Sequence, residues 1–210
     1  MRGLIYKEVQ LFFRSIDKKL ILLAAGIIVL LLVKAGVYSG LLATVMLAMT
    51  ISMQNVMSFA SDEKADWKKY QLALPVSNIC VVASKYISVL CTLIISSLGG
   101  ILFCIISGTI YSSFNITLFG LSVLSAIIVP LVWTGICLPL TYWFGFHSAQ
   151  TMGLIVVIPI FFLIKYFEDG PGLSALPVSL NSYIIIACIT ALVTFALSFI
   201  ISILGYVRKR

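Results

Sequence analysis

Apolar and polar positions alternate on two length scales along this chain. In residues 1–19, MRGLIYKEVQLFFRSIDKK, the period is helical. At 100° per residue Ile5, Val9, Phe12 and Ile16 share one face with Phe13 beside them, while Lys7, Arg14 and Lys18 share the opposite face. That pattern predicts an amphipathic interfacial helix along a membrane surface; a soluble helix packed on a partner domain needs the same stripe. Beyond Lys19 the period gives way to continuous apolar runs, most near or above the roughly 20 residues that cross about 30 Å of hydrocarbon. They predict spans at 20–38, 40–59, 79–110, 116–140, 151–164 and 183–206. The first two occupy 20–59 as a tight hairpin, the middle pair 78–140, and the last pair 151–206. The third exceeds the hydrocarbon thickness and must tilt or project beyond it. Lys34, near the far end of the first, has a stem long enough to reach the headgroups.

Composition supports that picture. The 210 residues are 61% hydrophobic and 10% charged, where soluble domains average about 45–50% and about 25%, and mean hydropathy is +1.17. The fold class expected is an all-α integral membrane protein, one transmembrane domain with six spans behind an interfacial helix. Its longest polar connector, 60–77, is too short for a nucleotide-binding domain, and no G-x-x-x-x-G-K-[ST] loop occurs. If ATP drives this protein, another chain hydrolyses it. The apolar run after Lys19 imitates a signal peptide, but Lys34 and a further apolar run follow directly, so a retained first span is expected.

The net charge of +7 is read by its distribution. Both termini and the stretch 60–85 carry twelve of the fourteen Lys and Arg on one side of the spans, leaving Lys34 and Lys165 on the other. Positive residues stay on the cytoplasmic face, so both termini are expected inside a plasma membrane, and no nucleic-acid partner is expected. Five cysteines without C-x-x-C spacing predict neither a disulfide nor a metal site.

From Tyr86 to Ile164 there is no Asp, Glu, Lys or Arg, which argues against an intramembrane ion relay or hydrolase. His147 reads as a loop residue rather than a catalyst. The third span carries Ser88, Thr92, Ser96, Gly100, Cys104 and Gly108 at intervals of four, a stripe suited to close helix packing or to the wall of a translocation path. Pro130, Pro139 and Pro159 can kink their helices. The outer segment 166–182, broken by Gly170, Pro171, Gly172 and Pro177, is either a re-entrant piece or a surface loop.

The densest information lies in SDEKADWKKYQLALPVSNICVVASKY, 61–86. Ser61 is placed to cap a short helix with Asp62 and Glu63 in its first turn, Lys64, Asp66 and Lys68 following, and Pro75 ending it; Ser77 is placed to cap the third span. Trp67 and Tyr70 are rigid anchors able to fill a partner's pocket, although interfacial aromatics alone would account for one of them.

At these residues the sequence resembles the small six-helix permeases of type 2 ATP-binding cassette (ABC) transporters. The shared features are D-E-x-x-x-W-x-x-Y-x-x-x-L-P-V-S at Asp62 to Ser77, S-K-Y at Ser84 to Tyr86, and the opening G-L-I-Y-K-E at Gly3 to Glu8. Ala65 and Asp66 depart from the small residue and Gly often seen before the Trp. The resemblance implies that 61–77 is a coupling helix docking on a separate ABC ATPase, present in two copies. It also implies a second permease copy, as a homodimer or paralogous heterodimer, and ATP and magnesium held by the ATPase, with no cofactor in this chain. It further implies export, by alternating access, of an amphipathic peptide such as a phenol-soluble modulin or antimicrobial peptide from a bacterial cell. A non-transporting sensor or structural subunit and a membrane-embedded enzyme are the competing readings; the enzyme lacks clustered acid, base or nucleophile residues.

Overall fold

The computed structural model describes residues 2–14, 18–67, 70–71, 76–112, 115–146 and 180–208. In chain order these form α1 (Arg2–Arg14), α2 (Lys18–Lys34), a 3-10 turn (Gly36–Tyr38), α3 (Ser39–Lys64), α4 (Asn78–Ile110), α5 (Ile116–Phe144) and α6 (Leu180–Arg208). The fifth expected span, 151–164, lies outside the described residues, as do His147, Pro159 and the outer segment up to residue 179; 180–182 are the first residues of α6. Four described helical stretches are long and apolar enough to cross a membrane, Gly36–Lys64, Asn78–Ile110, Ile116–Phe144 and Ile184–Arg208.

Element ends follow local chemistry. The first apolar helix stops at Lys34 instead of running to residue 38, because Gly36 adopts φ 59° and the chain turns through Gly36–Tyr38. Two carbonyls near that end are taken up, Leu31 O locally by Ala35 N at 3.0 Å and Val33 O by the hydroxyl of the distant Tyr111 at 3.2 Å. Ser77 caps α4, its side chain accepting from Cys80 N at 3.4 Å, and Asn115 caps α5 through Thr117 N at 3.0 Å. Pro130 and Pro139 leave α5 continuous; the carbonyl that Pro130 deprives of its N–H donor, Ala126 O, accepts from Ser96 Oγ at 2.9 Å.

One element differs from the sequence pattern. Ser61 does not open a new helix: α3 runs through Asp62, Glu63 and Lys64, with Ala65 N donating to Ser61 O at 3.1 Å. Apolar character fades after Phe59, yet backbone bonding continues because side chains from other helices hold the polar turn. The break falls at Ala65 and at Asp66, which sits at φ 50°, and helix resumes at Trp67.

α3 packs against α4 and α5, and α5 against α6. The α3–α4 contact is a polar seam. From one end to the other, Ser39 Oγ lies 2.8 Å from Ser107 Oγ, Asn55 Nδ2 donates to Thr92 Oγ1 at 2.8 Å, and Lys85 Nζ donates to Ser58 Oγ at 3.0 Å. The small residues of α4 permit that approach. A Cβ on Gly100 would sit 2.8 Å from Thr44 Cγ2 and 3.3 Å from Ala126 Cβ, and Ser96 Oγ donates to Ala126 O at 2.9 Å. Ser88, Thr92, Ser96, Gly100 and Cys104 are buried, and Gly108 is half-buried. Across the bundle, Tyr86 Oη lies 2.6 Å from Ser198 Oγ and 2.8 Å from Ser202 Oγ of α6.

Candidate functional site

Charge collects where α1, the end of α3 and the start of α4 meet. Glu8 lies on the buried line Leu4, Glu8, Phe12 of α1, one turn apart each time. Asp62 stands in the last turns of α3, and Lys85 stands two turns into the apolar α4. Lys85 Nζ is 2.7 Å from Glu8 Oε2 and 2.7 Å from Asp62 Oδ2; Lys7 Nζ is 3.0 Å from Glu8 Oε1 and 2.5 Å from Asp62 Oδ1. Two ammonium groups and two carboxylates therefore alternate in a closed ring. Glu8 is 3% exposed and Lys85 7%, burial that ionised groups tolerate only when paired. Aromatic rings complete the cations' surroundings, with Lys7 Nζ 4.3 Å from the Trp67 ring centroid and Lys85 Nζ 4.3 Å from that of Phe59.

A second tie joins α3 to α5. Glu63 Oε1 accepts from Phe146 N at 2.7 Å, just beyond Gly145. Gly145 takes φ 88°, and a Cβ there would lie 3.2 Å from Glu63 Oε1, so glycine lets the chain turn back onto that carboxylate. Next to the ring lies a pocket of about 160 Å³, walled by Glu8 from the middle of α1 and by side chains from the ends of α3, α4, α5 and α6 together with Trp67 and Gln71.

The connector residues fall into three groups. Asp62, Glu63 and Trp67 are engaged within the chain; Trp67 is half-buried and packs on the cluster containing Val81, Val82, Tyr86 and Tyr206. Lys64, Asp66 and Tyr70 are exposed, Tyr70 at 66%. Lys68 and Pro75 lie outside the described residues. In α1, Phe12 is buried and Ile5 and Val9 half-buried, Arg14 is exposed, and Ile16 lies outside the described residues. Lys7, expected on the outward polar face with Arg14 and Lys18, is drawn inward by the carboxylates of Glu8 and Asp62. Glu8, Lys85, Tyr142 and Tyr206 were not legible as site residues. The available signals were a lone lysine two turns inside an apolar helix and a Lys-Glu pair interrupting an amphipathic stripe.

Four long apolar helices with a charged, partly buried junction at one end define a multi-pass membrane protein. The chain belongs to the ABC-2 family transporter proteins, whose family model matches residues 3–207. It is therefore a membrane component of a transporter, and membership implies partnership with an ABC ATPase. No curated protein and no solved structure matched the chain in the comparisons made.

Proposed function

We propose that this chain is the permease subunit of an ATP-driven exporter that moves amphipathic peptides out of a bacterial cell by alternating access. Both termini and the 61–77 connector face the cytoplasm, where each of two ABC ATPase subunits, carrying ATP and magnesium, docks on the connector of one permease copy. The second permease is an identical or paralogous chain. Substrate, direction and stoichiometry follow from the sequence resemblance; the charge asymmetry supports the orientation, and the uncharged stretch 86–164 suits a greasy substrate.

The observation that carries the docking reading is the mechanical integration of the connector. Its exposed residues Lys64 and Tyr70 lie beside Asp62, Glu63 and Trp67, which bind α1, α4 and α5. A push on the exposed side is thus delivered to several helices at once. The test is co-purification with the ATPase and substrate-stimulated ATP turnover in proteoliposomes. Tyr70→Ala and Lys64→Glu are expected to weaken subunit association about tenfold or more while leaving helical content and thermal unfolding unchanged. Full association and turnover in both variants would overturn the docking role. ATP-independent behaviour of an intact complex would instead favour the sensor reading.

A further inference from the structure

The polar end of α3 is held by its neighbours up to Lys64, but the connector beyond it starts from a weak point. Helical bonding lapses at Ala65 and Asp66, where Asp66 takes φ 50° and its N–H reaches back only to Glu63 O, at 3.1 Å; helix resumes at Trp67. A turn made at two residues leaves the direction of all that follows to a few soft dihedrals. The connector therefore needs support from outside its own backbone, and α1 supplies it. Lys7 reaches both sides of the break: its Nζ pairs with Asp62 Oδ1 before it and stands 4.3 Å from the Trp67 ring centroid after it.

Lys7 is itself offered from a firm base. Glu8 Oε1 holds Lys7 Nζ at 3.0 Å while Glu8 Oε2 holds Lys85 of α4 at 2.7 Å. Leu4, one turn before Glu8, is buried in the cluster of Val81, Val82, Tyr86 and Tyr206 against which Trp67 also packs. Three stretches far apart in the sequence contribute these parts: G-L-I-Y-K-E gives Lys7 and Glu8, D-E-x-x-x-W gives Asp62 and Trp67, and S-K-Y gives Lys85. We propose that Lys7 is a positioning residue of the connector, a staple from Asp62 to Trp67 that sets the direction in which the exposed Tyr70, three residues further on, is presented. Lys7 acts through Trp67 and needs no contact of its own with an ATPase. The staple extends the docking element to α1, and it rests on the docking reading for its purpose.

Spin labels read this direction in the full chain, held in nanodiscs with its native cysteines replaced. Tyr70→Cys, beyond the break, and Lys64→Cys, before it, are each paired with Ile116→Cys at the opposite end of the bundle. Lys7→Gln is expected to widen the Tyr70–Ile116 distance distribution about twofold and to leave Lys64–Ile116 unchanged, because Asp62 and Glu63 still tie α3 to Lys85 and Phe146. Lys7→Arg, which keeps the charge, should restore the narrow distribution. Trp67→Leu, which leaves the ion ring whole, should widen it as Lys7→Gln does. In the complex with the ATPase, Lys7→Gln is expected to weaken association about fivefold or more in the otherwise native chain and to add nothing to Tyr70→Ala, as residues acting through one another do. An unchanged Tyr70–Ile116 distribution in both Lys7→Gln and Trp67→Leu would overturn the staple, and so would equal widening of the two pairs, which marks general loosening. Full association of Tyr70→Ala would instead remove the docking reading and leave the distances to decide on Lys7.

Discussion

Lys85 enters the bundle two turns into an apolar helix, and its ammonium stays charged there because Glu8 and Asp62 each stand 2.7 Å away. Removing one member of such a set leaves uncompensated buried charge, which typically costs about 3–5 kcal/mol. Lys85→Met is therefore expected to lower the unfolding free energy by that amount in detergent-solubilised protein, enough to cut the yield of folded chain. Tyr86, the next residue, loses only neutral hydrogen bonds to Ser198 and Ser202 when changed to Phe; such bonds average roughly 0.6 kcal/mol between membrane helices, so Tyr86→Phe should remain close to wild type in the same assay. A stability order with Tyr86→Phe the worse would contradict the placement of the ion ring. The sequence displayed Lys85 as one basic residue among twelve on its side. Burial was hidden because its partners lie 77 and 23 positions away, distances over which periodicity says nothing.

Among the elements, α4 is the one whose limits were most legible. Ser77 and the apolar run beyond it mark a helix from residue 78 or 79 to 110, and Asn78–Ile110 is the helix found. The limits of α3 were less legible, since hydropathy falls at residue 60 while hydrogen bonding persists to Lys64. That persistence depends on Lys7, Lys85 and Phe146 binding the polar turn, a tertiary effect that local composition cannot carry. The α3–α4 seam gives a contrast between glycines. Gly100→Val would drive methyl groups into Thr44 and Ala126, and overpacking of this kind costs about 1–3 kcal/mol. Gly120, on α5, has nothing within 4 Å of where an added methyl would sit, and Gly120→Ala should stabilise by up to about 1 kcal/mol through helix propensity. Thermal unfolding and monodispersity on gel filtration measure both; equal behaviour of the two variants would mean the helices do not approach so closely.

For the molecule as a whole, orientation is the property on which the functional reading turns. Lys64 and Ile116 lie at opposite ends of the bundle and are both exposed. With the native cysteines replaced, Lys64→Cys should react with a membrane-impermeant maleimide only in inverted vesicles, and Ile116→Cys only in intact spheroplasts. The reverse pattern would place the connector outside and remove it from any cytosolic ATPase. The bundle's spanning character was plain from uninterrupted apolar runs, whereas which helices touch, and that a surface helix would donate two members of a buried ring, was not. The alternating ring has one further consequence. Its four charges cancel, and Glu8 and Lys85 are buried with Lys7 and Asp62 only partly open, so dissolved ions reach the ring less well than Arg14, Lys64 and Arg208, which stand exposed with their fields open to the roughly 8 Å screening length of physiological medium. The chain thus holds two electrically distinct populations of basic side chains. Ionic strength should loosen the grip of the exposed set on anionic lipid or an acidic neighbour far more than it loosens the junction of α1, α3 and α4.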